Sequence, residues 1–153
     1  PRFGYEGQQP ELGFQGVYRI DLDGSLHLVV REGFTQPNGL AFTRDESALY
    51  IGDSQERLIY RYDVNADLTL GQRTLFVDQR GDPRRGAPDG MKVDAEGHLW
   101  TTGAGGVSCW APDGTCLGRF EMEEHAANIA FGGPTGRTLF LTAGTSVYAV
   151  ETA

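Results

Sequence analysis

Long apolar runs, basic residues and cysteines are all scarce in this sequence of 153 residues. No apolar run approaches the roughly 20 residues that span a bilayer, so we expect no membrane partner. No basic-then-apolar segment typical of a signal peptide follows Pro1, which favours a cytoplasmic location. The 13 Lys and Arg residues are outnumbered by 21 Asp and Glu residues, for a formal net charge of −8. Since nucleic acid is bound by cations that neutralise its phosphates, we expect no nucleic-acid partner.

The two cysteines, Cys109 and Cys116, bracket a Pro-Asp-Gly turn. A hairpin turning at residues 111–114 places them opposite each other, where a disulfide is possible if the geometry allows it. Two reduced thiols within a sheet are the alternative that we favour. We expect no zinc site here, because no further thiolate or imidazole ligand lies in local register.

Glycine is the abundant residue, with 22 among 153 residues, about twice the ~7% average. The glycines are spread along the chain, which is typical of many tight turns between short strands. This distribution favours an all-β fold.

An internal repeat supports that fold. A strand, a tight turn and a second strand recur over residues 38–53, 89–103 and 129–143, and further strands follow each pair. The spacing lies near the ~40–50 residues of a propeller blade. We therefore predict an all-β, β-propeller fold with about three four-stranded blades present. The predicted segments are a connecting segment (1–15), the second half of a blade (16–36), two blades (37–86 and 87–126) and the start of a last blade (127–153).

Three blades do not close a propeller, because propellers have four to eight blades and an open arc leaves strand edges unpaired. We expect the missing half to come from a longer chain or from a second copy.

Two loops that lead into inner strands carry oxygen ligands in the same blade position. They are Pro37-Asn38-Gly39 and Pro88-Asp89-Gly90, and both should point toward the central channel. An amide oxygen and a carboxylate that converge there suit a hard divalent cation. Both tripeptides are also ordinary turn sequences, since Asn and Asp tolerate turn conformations, so a structural role stays open.

Other polar residues are weaker candidates. His125, in the loop before the last inner strand, and Asp53, at the end of a second strand, could reach a substrate at the same face. His27 and His98 are expected to be solvated surface residues. Ser54 lacks the Gly-x-Ser-x-Gly elbow of a serine hydrolase.

Several of these segments resemble one known family. Residues 37–42 (PNGLAF), 49–51 (LYI), 88–94 (PDGMKVD) and 130–133 (AFGG) look like the family of gluconolactonases, senescence marker protein and luciferin-regenerating enzyme. The similarity runs from about Gly16 to Val150.

The resemblance implies a six-bladed β-propeller that hydrolyses a lactone, typically a sugar lactone, at one divalent cation. In that family a Glu, an Asn and an Asp hold the cation. Asn38 and Asp89 stand at the Asn and Asp positions, and Asp89 is also the candidate general base. We expect the Glu and a further substrate-binding stretch upstream of Pro1. Ca²⁺ is the first expectation for the cation, with Zn²⁺, Mn²⁺ or Mg²⁺ as alternatives.

Two other functions stay open from the sequence. One is a non-catalytic propeller that serves as a binding or scaffold module. The other is an esterase or organophosphate hydrolase that uses the same cation site.

Overall fold

The computed structural model describes residues 11–152, and all of its regular structure is β-strand. The predicted connecting segment at residues 1–15 lies mostly outside the described residues. No helix within the described part of the chain is long and apolar enough to cross a membrane.

Thirteen strands follow one another as antiparallel meanders. They are β1 (Val17–Ile20), β2 (Leu26–Val30), β3 (Pro37–Phe42), β4 (Ala48–Asp53), β5 (Leu58–Val64), β6 (Leu70–Asp78), β7 (Met91–Val93), β8 (Leu99–Gly103), β9 (Gly106–Trp110), β10 (Cys116–Glu121), β11 (Ala126–Gly132), β12 (Thr138–Ala143) and β13 (Ser146–Glu151).

The strands form four separate sheets. β3 to β6 and β7 to β10 are four-stranded, β11 to β13 make a three-stranded sheet, and β1 pairs with β2 alone. The first strands of neighbouring sheets contact each other, β3 with β7 and β7 with β11. Side-by-side meanders whose first strands meet on the inside are propeller blades, so the predicted fold is confirmed.

Apolar side chains fill the space between adjacent blades. Tyr50 and Ile59 of one blade pack in a common cluster with Met91, Leu99 and Trp110 of the next. A second cluster joins that blade to the last sheet through Val107, Ile129, Leu139 and Leu141. Burying each large apolar side chain contributes roughly 1.5–3 kcal/mol to the free energy of unfolding. These clusters therefore hold neighbouring blades against each other.

Two aromatic residues depart from the expected core. From their alternating strand positions we expect Phe42 and Phe140 to pack between blades, yet the two residues are 46% and 41% exposed. Phe42 lies on β3 and Phe140 on β12, in the first and last of the three larger sheets.

The two cysteines are not opposite each other. The turn closes between Ala111 and Thr115, with Gly114 in the left-handed region, and a bulge then shifts the register of β10. Cys116 therefore pairs with Trp110, and Cys109 pairs with Gly118. The predicted register, which placed Cys109 opposite Cys116, is therefore wrong. Both thiols are free, in agreement with the alternative that we favoured.

Candidate functional site

The fold brings Asn38 and Asp89 together at one end of the sheets, which we call the mouth. It is the end at which the inner strands β3, β7 and β11 begin. Asn38 is the second residue of β3, and Asp89 lies two residues before β7. The amide of Asn38 lies near enough to Asp89 to lower the pKa of that carboxyl group, so the two polar groups share one end of neighbouring blades.

A glycine makes this approach possible. A Cβ atom on Gly39 would overlap the carbonyl oxygen of Asp89, so only glycine lets the two strands come this close. Gly90 plays the same part toward the last blade, where its N–H donates to the carbonyl of Ala127 at 2.9 Å. Each predicted ligand is thus followed by the glycine that lets its strand approach the next.

Asp89 is a half-buried carboxylate that is costly to charge. Burial raises its pKa, and the nearby charge of His125 and the amide of Asn38 lower it only in part. Asp89 therefore lacks full compensation for its negative charge. A carboxylate oxygen beside an amide fits a hard divalent cation, which prefers oxygen ligands.

Ser54 connects the two blades at the mouth. Its Oγ donates a hydrogen bond to the carbonyl of Pro88 at 2.6 Å, and it accepts one from Nδ2 of Asn38 at 3.1 Å. One hydroxyl therefore orients the amide of Asn38 and holds the backbone directly before Asp89. The sequence pattern missed this residue, although its loop was predicted to lie on the same face.

Arg57 and Gln79 hold the connection between β6 and β7, which contains Asp89. The Arg57 guanidinium donates to the carbonyls of Asp82 and Arg84, each at 2.9 Å. Gln79 is buried, and its Oε1 accepts the backbone N–H of Ala104 at 3.2 Å. The β4–β5 loop, through Arg57, and the β8–β9 loop, through Ala104, therefore both contact the connection between β6 and β7 that contains Asp89.

Asp53 lies at the mouth face but is completely buried. Oδ1 accepts the N–H groups of Gln36, Gln55 and Glu56, and Oδ2 accepts that of Thr35, at 2.6–3.1 Å. The carboxylate therefore joins the loop before β3 to the loop after β4. The four bonds show that Asp53 stabilises these loops. A contact between Asp53 and a substrate stays a prediction.

The last blade lacks a counterpart of the two candidate ligands. Ala127 occupies the position of Asn38 and Asp89, and its carbonyl accepts the N–H of Gly90. Asn128 stands one residue later, and its Oδ1 accepts the following N–H, that of Ile129, at 2.8 Å.

A small polar cavity opens beside His125. It has a volume of about 200 Å³, and Arg85, Met122, Glu123 and three glycines of the β8–β9 region line it together with His125. His125 lies near enough to Asp89 for its charge to lower the pKa of that carboxyl group, so the cavity lies on the side of the mouth that carries Asp89. A larger, open cavity of about 670 Å³ lies at the opposite rim, between the turns at Thr43–Asp45 and Gly97.

One expectation for the remaining polar residues is wrong. His98 was expected to be solvated, with no metal-ligating group around Cys109. The structure places ligand atoms of Asp94, His98 and Cys109 within 4.8 Å of one another. The sequence pattern did not reveal this cluster, because Cys109 comes from a different strand of the meander.

Comparison with known proteins places these features in context. A family model described as the SMP-30/Gluconolactonase/LRE-like region matches residues 3–145. The chain is 35% identical over 155 aligned positions to a gluconolactonase of Zymomonas mobilis, covering 96% of this chain and 43% of that protein. It is 38% identical over 130 positions to a pentonolactonase of Haloferax volcanii, covering 82% of this chain and 44% of that protein.

A solved structure shows the same fold. It is the calcium-binding protein regucalcin of Agrobacterium tumefaciens, with a TM-score of 0.75 and 26% identity, covering 86% of this chain and 45% of that one. The chain therefore spans less than half the length of the curated relatives that it matches.

Proposed function

The chain belongs to the SMP-30/Gluconolactonase/LRE-like family, and on this basis we propose that its mouth forms part of a cation-dependent sugar lactonase. The observation that carries the proposal is the meeting of Asn38 and Asp89 across two blades, with Ser54 between them. The relatives described above are named as lactonases of six- and five-carbon sugar acids. The substrate class that we propose is a sugar lactone.

Asn38 and Asp89 would hold the cation through an amide and a carboxylate oxygen. A bound cation would polarise the lactone carbonyl, stabilise the developing oxyanion and lower the pKa of an attacking water. We favour Ca²⁺, because both ligands are hard oxygen donors and a calcium-binding protein shares the fold. Zn²⁺, Mn²⁺ and Mg²⁺ are the alternatives for the test.

Asp89 would also receive the proton of the attacking water. Burial raises the pKa of Asp89 in the cation-free site, whereas a coordinated cation would lower it again, so its role as a base is secondary to its role as a ligand. Asn38 has no titratable group, so its role is to bind and orient. His125 and Arg85, which line the small cavity, would donate hydrogen bonds to substrate hydroxyls. Asp53 would act through the loops that it joins.

The complete site would include a second propeller half, supplied by a longer chain or by a second copy. Two sheets have fewer than four strands, and large apolar side chains are exposed on them, including Ile20 at 73% and Val147 at 73%. Such surfaces are covered when blades close into a ring. A third oxygen ligand for the cation would come from that half.

The test is hydrolysis of D-glucono-1,5-lactone by the full-length protein, followed as acid release after chelation and after each cation is added back. A five-carbon sugar lactone serves as the second substrate. We expect chelation to abolish turnover and Ca²⁺ to restore it. Cation binding with no turnover of either lactone would instead favour a non-catalytic binding module.

The matched variants are Asp89→Ala and Asp113→Ala. Both aspartates stand in a Pro-Asp-Gly sequence, but Asp113 lies in the exposed outer turn between β9 and β10. We expect Asp89→Ala to lose cation-dependent turnover, and Asp113→Ala to keep it within about twofold. Turnover above a tenth of the wild-type rate in Asp89→Ala would refute the role of Asp89.

A further inference from the structure

We infer that Asp94, His98 and Cys109 form a second metal site, for a soft or borderline divalent cation such as Zn²⁺. The site is independent of the proposed lactonase. Asp94 follows β7, His98 precedes β8, and Cys109 lies on β9. Asp94 is five residues from Asp89 along an extended strand, which corresponds to about 16 Å. The cluster thus lies at the end of the blade away from the mouth.

The three donor types suit zinc and not calcium. Thiolate and imidazole are ligands of Zn²⁺, whereas Ca²⁺ takes oxygen ligands. Three protein ligands plus a water complete a tetrahedral zinc site. A thiolate and a carboxylate also balance the two positive charges, so the occupied site would be neutral in this half-buried position.

The distances are close to those of a tetrahedral site. Nδ1 of His98 lies 3.1 Å from Oδ2 of Asp94, whereas zinc bonds of ~2.0–2.1 Å separate two such ligands by about 3.3 Å. All ligand atoms lie within 4.8 Å of one another. The sulfur of Cys109 would therefore move by on the order of 1 Å to reach its place, given a zinc–sulfur bond of ~2.3 Å.

Neighbouring groups hold the carboxylate in position. Oδ1 of Asp94 accepts the backbone N–H groups of Glu96 and His98 at 3.0 and 2.8 Å. Nε1 of Trp100 donates to Oδ2 at 2.8 Å. Such outer partners fix the orientation of metal ligands. The side chain of His98 is 32% exposed, which gives a cation a path from solvent.

The turn itself does not require these residue types. By strand register, the positions of Asp94, His98 and Cys109 correspond to Thr43, Ala48 and Arg61 in the preceding blade. That blade builds its turn without a thiol, an imidazole or a carboxylate at the three positions. The preceding blade forms the same strands with other residues at these positions, so three metal-ligating side chains are not required for a blade to fold.

Binding exchanges protons for the cation. The thiol of Cys109 releases its proton to solvent and binds as thiolate. The proton between Nδ1 of His98 and Oδ2 of Asp94 moves to Nε2 by exchange with solvent, so that His98 binds as a neutral imidazole through Nδ1 and a carboxylate oxygen becomes free for the metal. No oxidant or further reactant is involved.

The test is titration of the full-length reduced protein with Co²⁺ in the presence of excess Ca²⁺, which occupies oxygen-ligand sites. We expect one equivalent of Co²⁺ to give a near-ultraviolet thiolate charge-transfer band and the visible bands of tetrahedral cobalt. Zn²⁺ should then displace the cobalt and remove both sets of bands. A wild-type protein without the thiolate band would overturn the proposal.

Three variants assign the ligands. We expect Cys109→Ser to lose the charge-transfer band and His98→Gln to weaken Zn²⁺ binding at least tenfold. Cys116→Ser should keep affinity within twofold, since Cys116 is exposed on β10 and paired with Trp110. Circular dichroism shows whether each variant is folded. The side chain of His98 is 32% exposed, so His98→Gln tests the site without disturbing the core. An unchanged band in Cys109→Ser, or unchanged affinity in His98→Gln, would refute the assignment.

Discussion

Replacing Asp53 by alanine should destabilise the protein severely, because its carboxylate accepts four backbone N–H groups. These bonds are 2.6–3.1 Å long, and the residue is completely buried. A hydrogen bond to a charged group contributes about 1.5–3 kcal/mol. The bonds from Gln55 and Glu56 stay within the loop that follows β4, whereas those from Thr35 and Gln36 join this loop to the one before β3. We count only the two bonds that join the loops, because their loss separates segments 17 and 18 residues apart in the chain.

Two lost bonds correspond to about 3–6 kcal/mol of unfolding free energy. That is a large share of the roughly 5–15 kcal/mol of a typical domain. Asp53→Asn keeps one acceptor oxygen and places an amide N–H against a backbone N–H at the other. We expect it to cost about 1.5–3 kcal/mol, between wild type and Asp53→Ala.

The assay is equilibrium unfolding in urea, followed by the fluorescence of Trp100 and Trp110, together with the KM for the lactone. Asp113→Ala is the control, because Asp113 accepts a single backbone N–H in an exposed turn. The reasoning fails if Asp53→Ala loses less than about 1 kcal/mol. A raised KM with unchanged stability would identify Asp53 as a substrate contact and contradict its structural role.

Three further predictions concern the mouth and its surroundings. Ser54→Ala should weaken Ca²⁺ binding about tenfold in calorimetry, since the amide of Asn38 loses its acceptor. Ser54→Thr keeps a hydroxyl and should bind Ca²⁺ within about twofold of wild type. Equal Ca²⁺ affinities of Ser54→Ala and wild type would contradict this role of Ser54. The pKa of Glu124 is held at about 2, mainly by the hydroxyl of Ser146, so its stabilising effect is present above about pH 4.5 and disappears as the pH falls through 2. Melting temperatures of wild type and Glu124→Gln should therefore differ at pH 6 and converge near pH 2; a constant difference would argue against the linkage. Gly39→Ala should lower the free energy of unfolding in urea by about 1–3 kcal/mol, because its Cβ would overlap a neighbouring carbonyl. Gly118→Ala is the control, since a Cβ on Gly118 meets nothing within 4 Å. A comparable loss of stability in Gly118→Ala would remove the steric explanation.

The blade pattern could be predicted because its signals are local. Each inner hairpin has a short, largely apolar strand, a polar turn and a second, largely apolar strand, and the same order recurs three times along the chain. Asn38 and Asp89 could be proposed together for the same reason, since they share a position in two repeats. Their proximity then follows from the fold alone.

Other features depend on distances that no local pattern encodes. Ser54 is an ordinary loop serine in sequence, and only the approach of the next blade gives its hydroxyl two partners. The pairing of Cys109 failed because the turn closes one residue later and a bulge adds another shift. His98 was assigned to solvent because the strand that brings Cys109 beside it comes eleven residues later.

The glycines that follow Asn38 and Asp89 have a consequence for the precision of the mouth. Side chains can adopt several rotamers, so a gap set by side-chain packing varies with sequence and with thermal motion. Here the gap between adjacent inner strands is set by main-chain atoms, with Gly39 against the Asp89 carbonyl and the N–H of Gly90 bonded to the carbonyl of Ala127. Main-chain contacts therefore set the spacing of adjacent inner strands at the mouth. The outer loops can change in sequence while this spacing, and with it the separation of Asn38 from Asp89, stays constant.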